Sequence, residues 1–281
     1  MNTSIFSTIA GLREAVKAAR GQGKTIGVVP TMGALHEGHA ELIRRARAGT
    51  DYVVVTVFVN PIQFDRKEDL DKYPRDLATD VALSESLGTD AVFAPPVEEM
   101  YPDELMTSVD VTGITTRLEG EYRPGHFKGV ATVVAKLLNI VQADRAYFGE
   151  KDAQQLAVIQ KMVTDLNLPS EIVPVETVRE SDGLALSSRN RLLTPDQRSV
   201  APLVYKALSA ARDALRSGKT PVEARTEALK VLAGTQDMTV QYLEIADAAN
   251  MMPVDRMTGP VRVAAAVWLG KVRLIDNVLV S

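Results

Sequence analysis

The chain of 281 residues has no cysteine. That single absence removes disulfides, thiolate nucleophiles, iron–sulfur clusters and thiolate-bound zinc. Long apolar runs are also missing: the longest candidate, around Val53–Val59, falls well short of the roughly 18–20 residues that a membrane span requires. The opening MNTSIFSTIAGLREAVKAAR lacks a basic end followed by an apolar stretch, because Arg13, Glu14 and Lys17 interrupt it, so it reads as a surface helix and the expected location is cytoplasmic. There is no excess of positive charge either. Lys plus Arg total 32 against 36 Asp plus Glu, a net charge of -4, which gives no electrostatic reason to expect a nucleic-acid partner and leaves small anions open. No low-complexity tract or internal repeat interrupts a composition that is 46% hydrophobic and 24% charged, so the chain should fold through most of its length.

What is present is an alternation of helical and strand patterns. Ile9, Leu12, Val16 and Ala19 recur at helical spacing before Thr25–Pro30, a β-branched run suited to a buried strand. Asp51–Val59 is apolar on both faces, as a central parallel strand should be. A helix through Leu77, Val81 and Leu87, a strand at Asp90–Ala94, an apolar stripe from Val130 to Val141, a strand at Arg145–Phe148, a stripe from Leu156 to Leu166 and a strand at Glu171–Val178 continue the series. This predicts an α/β fold with a doubly wound, Rossmann-like parallel sheet. Beyond about residue 190 the texture changes. Thr194-Pro195 and Thr220-Pro221 each place a hydroxyl cap before a proline at the first helical position, with Gly218 as the stop between the two helices. Val240–Ile245, Val261–Leu269 and, after Gly270-Lys271, Val272–Ile275 suggest a small antiparallel sheet. The expected division is 1–186 for a nucleotide- and substrate-binding domain and 187–281 for a smaller α+β domain closing over the site.

Two phosphate-loop look-alikes fail on spacing. Gly23-Lys24-Thr25 and Gly218-Lys219-Thr220 lack the required glycine five positions earlier, where Ala18 and Asp213 stand. The informative segment is Pro30-Thr31-Met32-Gly33-Ala34-Leu35-His36-Glu37-Gly38-His39, directly after the first central strand and before a helix. Gly33 and Gly38 allow close backbone approach, and the following helix N-terminus offers unpaired N–H groups with a positive dipole end to an anion. His36 and His39 could simply cap that helix. Yet the chain has three histidines, two of them in this corner, and a zinc reading of the pair lacks further ligands. The remaining candidates are Asn60-Pro61-Ile62-Gln63-Phe64, Arg123-Pro124-Gly125-His126-Phe127, Gly149-Glu150-Lys151-Asp152 with Gln154-Gln155, and Leu186-Ser187-Ser188-Arg189-Asn190. Three of these, with the histidine corner, fall at C-terminal strand edges, where open parallel sheets bind ligands.

Taken together, PTMGALHEGH, VFVNPIQF, YPR, RPGHFKGV, FGEKD, QQL and DGLALSSRN resemble, in order and spacing, the pantoate–β-alanine ligase family over nearly the full chain. HEGH is also similar to the HIGH motif of the wider nucleotidyltransferase superfamily. The resemblance implies an ATP-dependent ligase, acting with Mg²⁺, that joins (R)-pantoate to β-alanine through pantoyl adenylate, releasing diphosphate and AMP. It further implies a homodimer whose partners are small-molecule substrates. By the same resemblance, Met32, Gly33, Ala34, Leu35, His36, Glu37, Gly38 and His39 bind ATP, with His39, His36 and Lys151 as catalytic groups. Gly149, Glu150, Lys151, Asp152, Val178, Leu186, Ser187, Ser188 and Arg189 complete the nucleotide site. Gln63 and Gln155 hold pantoate, and Gln63 also borders β-alanine.

Two positions depart from the family pattern. Leu186 stands where many relatives carry methionine, a volume-conserving change. Around Thr79-Asp80, relatives often carry two adjacent acidic residues linked with Mg²⁺, whereas here only Asp80 is acidic. Two other functions compete with the ligase: a nucleotidyltransferase that stops at an adenylate or couples it to another amine, and a nucleotide-binding regulator without catalysis. The Gln63 and Gln155 contexts argue against the first. The intact His36, His39, Lys151 and Ser187-Ser188-Arg189 argue against the second.

Overall fold

The computed structural model describes residues 3–65 and 67–281. They form two compact units, Met1–Glu150 with Val158–Glu176, and Lys151–Ala157 with Thr177–Ser281.

The first unit is built on six parallel strands, β1 (Ser4–Phe6), β2 (Ile26–Thr31), β3 (Tyr52–Val57), β4 (Ala91–Phe93), β5 (Arg145–Gly149) and β6 (Glu171–Val175), in the order β1-β4-β3-β2-β5-β6. Ile26, Val28, Val29, Val53, Val54 and Val55 have no exposed surface, which explains their unbroken apolar pattern: β2 and β3 are covered on both faces. The helix Glu37–Gly49 buries Ala40, Leu42, Ile43 and Ala46, and its apolar face shares a cluster with Val29, Val53, Val55 and Val92. From β2 the chain steps outward to β3 and β4, then returns to the other side of β2 for β5 and β6. The order therefore reverses at β2, and its C-terminal edge is the topological switch point where such sheets bind ligands.

The N-terminus differs from its sequence reading. Ser4–Phe6 is a strand, and the helix runs only from Ile9 to Gly21, where Leu12, Val16 and Ala19 are buried as their spacing predicts. Pairing with β4 decides this: Ser4 N–H donates to Asp90 C=O at 3.0 Å and Ala94 N–H to Phe6 C=O at 2.8 Å. The strand expected over Asp51–Val59 stops at Val57, and that expected over Glu171–Val178 stops at Val175.

In the second unit, the helices Leu203–Arg216 and Pro221–Leu232 accompany an antiparallel sheet of β7 (Met238–Asp247), β8 (Val261–Leu269) and β9 (Val272–Val280). Both Thr-Pro starts are real. Thr194 and Thr220 form capping boxes with Gln197 and Glu223, each satisfying N–H groups that would otherwise lack partners. Leu208, Leu243, Val263, Val267 and Leu269 are fully buried in the shared core. The third strand extends past Ile275 to Val280. The second unit takes in Lys151–Ala157 as well as everything from Thr177 onward, where 187 was expected; within it Val178–Leu186 forms a tight loop tied to β9: Leu186 N–H donates to Val178 C=O at 2.9 Å, and Arg179 makes a two-pronged ion pair with Asp276 at 2.6 and 2.9 Å. Among the described residues, no helix is long and apolar enough to cross a membrane.

Candidate active site

In the first unit, the segment after β2 folds back before entering the helix Glu37–Gly49. Gly33 sits at φ 82° and Ala34 at φ 52°, and the reversal is braced by Asp80 from the helix Leu77–Ser86. Asp80 is 2% exposed, and its two oxygens accept the N–H groups of Ala34 (3.0 Å) and Leu35 (2.7 Å). A side chain at position 33 would put its Cβ 2.8 Å from Asp80 Oδ2, so glycine is required there by space as well as by φ. Both Asp80 oxygens are thus engaged in bracing the loop. Mg²⁺ favours near-octahedral oxygen ligation and usually keeps water and substrate phosphate in its shell. Among the described residues, no group of three or more His, Cys, Asp or Glu side chains is placed to hold a metal ion. Mg²⁺ would therefore be held largely by the phosphates of a bound nucleotide rather than by a protein-built cage.

His36 and His39 cap the helix and also offer donors. His36 Nδ1 accepts the N–H of Gly38 at 3.1 Å, and His39 Nδ1 accepts the N–H of His36 at 3.2 Å. A neutral imidazole whose Nδ1 accepts must carry its proton on Nε2. Both rings, with centroids 4.2 Å apart, therefore hold an Nε2–H donor beside a helix N-terminus. Local capping thus fixes the tautomer of each ring. Glu37 turns away, paired with Arg44 at 2.7 Å on the exposed helix face.

Gln63 lies in a single turn, Pro61–Gln63, following β3, and is 7% exposed. Its Nε2 donates to Met32 Sδ at 3.0 Å, so this amide touches the loop that carries the histidines. The backbone C=O of Gln63 is 3.0 Å from His126 Nδ1, whose Nε2 faces Arg123 Nη1 at 3.1 Å. Arginine is always a donor, so Nε2 accepts and Nδ1–H donates to Gln63. His126, unassigned from sequence, thus anchors the Gln63 backbone from the first turn of the helix His126–Val141. Asn60 and Tyr101 complete these surroundings. Asn60 stands in the Asn60-Pro61-Ile62-Gln63-Phe64 segment with no role that its sequence indicates, and Tyr101 has no sequence signal at all. At the end of β5, Gly149 and Glu150 are half-buried.

In the second unit, Lys151, Ser187, Arg189, Asn190, Arg273 and Asp276 line part of an open recess. Lys151, Arg189 and Arg273 line it beside one carboxylate, Asp276, which is paired with Arg179. The backbone C=O of Lys151 accepts from Asn277 Nδ2 at 3.0 Å, which fixes the root of its side chain. Ser187 Oγ accepts the N–H of Arg189 at 3.3 Å, capping a short helical turn. Ser188 and Asp152 are exposed; Gln155, Val178 and Leu186 are half-buried. Val178 and Leu186 are brought together by their backbone bond. Arg273, to which the sequence gives no role, also lines the recess. It is the second residue of β9, where its Nε donates to Gln241 Oε1 at 2.7 Å, and nothing in the neighbouring sequence distinguishes it from an ordinary surface arginine.

The chain matches the pantoate–β-alanine ligase family over residues 4–279. It is 53% identical to the pantothenate synthetase of Cereibacter sphaeroides over 274 residues, 98% of each chain, and 51% identical to that of Moorella thermoacetica over 278 residues, 99% of this chain and 98% of the other. Its fold superposes on crystalline pantothenate synthetase from Thermus thermophilus with a TM-score of 0.92 at 47% identity, covering 98% of this chain and 99% of that one. The pantoate–β-alanine ligase of Francisella tularensis, solved with a β,γ ATP compound and β-alanine, gives 0.79 at 35% identity, covering 99% and 97%. With matches that span nearly the whole chain, the switch-point loop, its paired histidines and the Gln63 turn are those of a member of the pantoate–β-alanine ligase family.

Proposed function

We propose that this chain condenses (R)-pantoate with β-alanine in two steps at the switch-point edge of the parallel sheet. The observation that carries the reading is the Gln63 Nε2 to Met32 Sδ contact: the amide assigned to the acid touches the loop assigned to the nucleotide, so a carboxylate and an α-phosphate held by them can meet. In the first step a pantoate oxygen bonds to the α-phosphorus of ATP, the α–β phosphoanhydride breaks, and diphosphate leaves. In the second step the unprotonated amine of β-alanine attacks the acyl carbon, AMP departs with the bonding pair, and the amine gives up a proton. His39 and His36 donate Nε2–H to phosphate oxygens as charge shifts towards the leaving group. Lys151, Ser187, Ser188 and Arg189 screen the polyphosphate, Val178 and Leu186 border the adenine, and Gln155 joins Gln63 at pantoate. An amide suits this task because it orients a carboxylate without neutralising the nucleophile. When bound with the nucleotide, Mg²⁺ would supply charge neutralisation at the phosphates, while Asp80 braces the loop. The reading includes a cytoplasmic homodimer, which light scattering would report as twice the chain mass.

The test is an omission series with ATP and Mg²⁺. Pantoate alone should give stoichiometric diphosphate, and AMP turnover should require β-alanine. AMP released at the same rate without β-alanine would defeat the ligase reading in favour of a transferase that stops at the adenylate.

A further inference from the structure

The orientation of the Gln63 amide is fixed by hydrogen bonds that start outside the reacting groups. Gly129 C=O cannot donate, and it lies 3.2 Å from one end of the Asn60 side chain; that end must be the nitrogen. Asn60 Nδ2 is also 2.9 Å from the Gln63 side chain, so the atom of Gln63 facing it must be the acceptor Oε1. Gln63 Nε2 is then the end directed at Met32. The remaining Asn60 atom, Oδ1, receives the hydroxyl of Tyr101 at 2.8 Å. Asn60 is 1% exposed, so no water replaces that donor. Tyr101 is itself held in place. Lys136 Nζ lies 5.3 Å from its ring centroid, the Phe58 ring is 6.0 Å away, and burial pushes the phenol up to about 12, which keeps its proton on at any working pH.

We propose that Tyr101, acting through Asn60, is a positioning residue that presents the N–H end of Gln63 to the carboxylate or hydroxyl of the acid substrate. An amide turned the other way would offer Oε1, an acceptor, to an anion. Losing the Tyr101 hydroxyl leaves Asn60 Oδ1 buried without a donor, so Asn60 is held from one end only and its Nδ2 grips Oε1 of Gln63 less firmly. The inference rests on Gln63 holding pantoate. It makes acid selectivity depend on a residue far along the chain that need not touch any substrate.

The experiment compares the parent with Tyr101→Phe, Gln63→Ala and the double variant, measuring kcat and the KM for pantoate and for ATP, together with Tm. Tyr101→Phe should raise the pantoate KM about tenfold, the equivalent of ~1.4 kcal/mol, while the ATP KM stays within about twofold and Tm falls by no more than a few degrees. In the Gln63→Ala background the same change should add nothing, because the amide it orients is gone. An unchanged pantoate KM in Tyr101→Phe, beside a raised one in Gln63→Ala, would overturn the relay while leaving Gln63 at pantoate. Equal losses for ATP and pantoate with a collapsed Tm would make Tyr101 structural only, and overturn it too. A parental pantoate KM in Gln63→Ala would remove Gln63 from the acid site and the relay with it.

Discussion

Replacing Asp80 with alanine deletes the acceptor for two N–H groups at the bend of the nucleotide loop, those of Ala34 and Leu35. A hydrogen bond to a charged partner contributes about 1.5–3 kcal/mol, so the gross loss is roughly 3–6 kcal/mol. Part of this is offset, because a carboxylate 2% exposed costs desolvation energy that the alanine variant no longer bears. A net destabilisation of ~2–4 kcal/mol follows, and in a body of 150–250 residues it lowers Tm by roughly 5–15 °C. Asp80→Asn keeps the size and one acceptor but turns an NH₂ towards the other N–H, and should lose about half as much. Because the bend also aims His36 and His39, both variants should raise the ATP KM and lower kcat while pantoate binding measured by calorimetry changes little. Differential scanning calorimetry and initial rates with varied ATP read these effects. Raising Mg²⁺ tenfold should restore neither variant. An alanine variant with parental Tm and parental ATP KM would refute the brace, and rescue by Mg²⁺ would return Asp80 to the metal.

His39→Ala removes an Nε2–H donor and the acceptor of the His36 N–H, so adenylation should slow by roughly 100–1,000-fold without loss of the fold; circular dichroism with pantoate-dependent diphosphate release checks this. Lys151→Ala should impair diphosphate release far more than attack of β-alanine on supplied pantoyl adenylate, and equal defects in both steps would give Lys151 another role. Gln63→Glu sets a carboxylate against the substrate's own, so calorimetry should show pantoate affinity strongly reduced and ATP affinity nearly unchanged. In Gly129→Ala the new Cβ would lie 2.5 Å from Ile62 C=O and 2.7 Å from Gln63 Cα, atoms of the backbone that cannot swing aside. The Gln63 turn must move, and the pantoate KM should rise at least tenfold while ATP binding persists.

The central strands were legible because burial on both faces leaves a continuous β-branched run at Ile26–Thr31 and Tyr52–Val57, and local composition is enough to show it. Ser4–Phe6 was not, because it is a strand through pairing with Ala91–Phe93, far along the chain. The histidine corner was legible through scarcity and position: two of three histidines follow one strand and open one helix. What each ring nitrogen does was not, since that depends on which backbone N–H groups the turn aims at Nδ1. The same limit hid Tyr101 and the use of Asp80, whose partners lie 41 and 45–46 positions away. Sequence motifs identify groups that touch substrate more readily than groups that hold those groups in place.

The pairing of β2 with β3 has a further consequence. The nucleotide loop leaves β2 at Thr31, and the Gln63 turn follows β3 from Val57, its paired residue in a six-residue parallel register. Two seams at the strand tips hold that register: Thr31 Oγ1 donates to Thr56 C=O at 2.6 Å, and Phe58 N–H to Thr31 C=O at 3.1 Å. Neighbouring strands lie about 4.8 Å apart, and one residue of slippage along a strand is about 3.3 Å. Reacting atoms must come within about 3–3.5 Å of each other. On the proposed assignment of the Gln63 turn to the acid and the β2 loop to the nucleotide, the sheet acts as a ruler between them, with both holders hung from adjacent marks. Variants that widen substrate choice should alter side chains beyond Val57 and leave Thr31 and Thr56 alone, because loosening that seam shifts every donor of one substrate against the other at once.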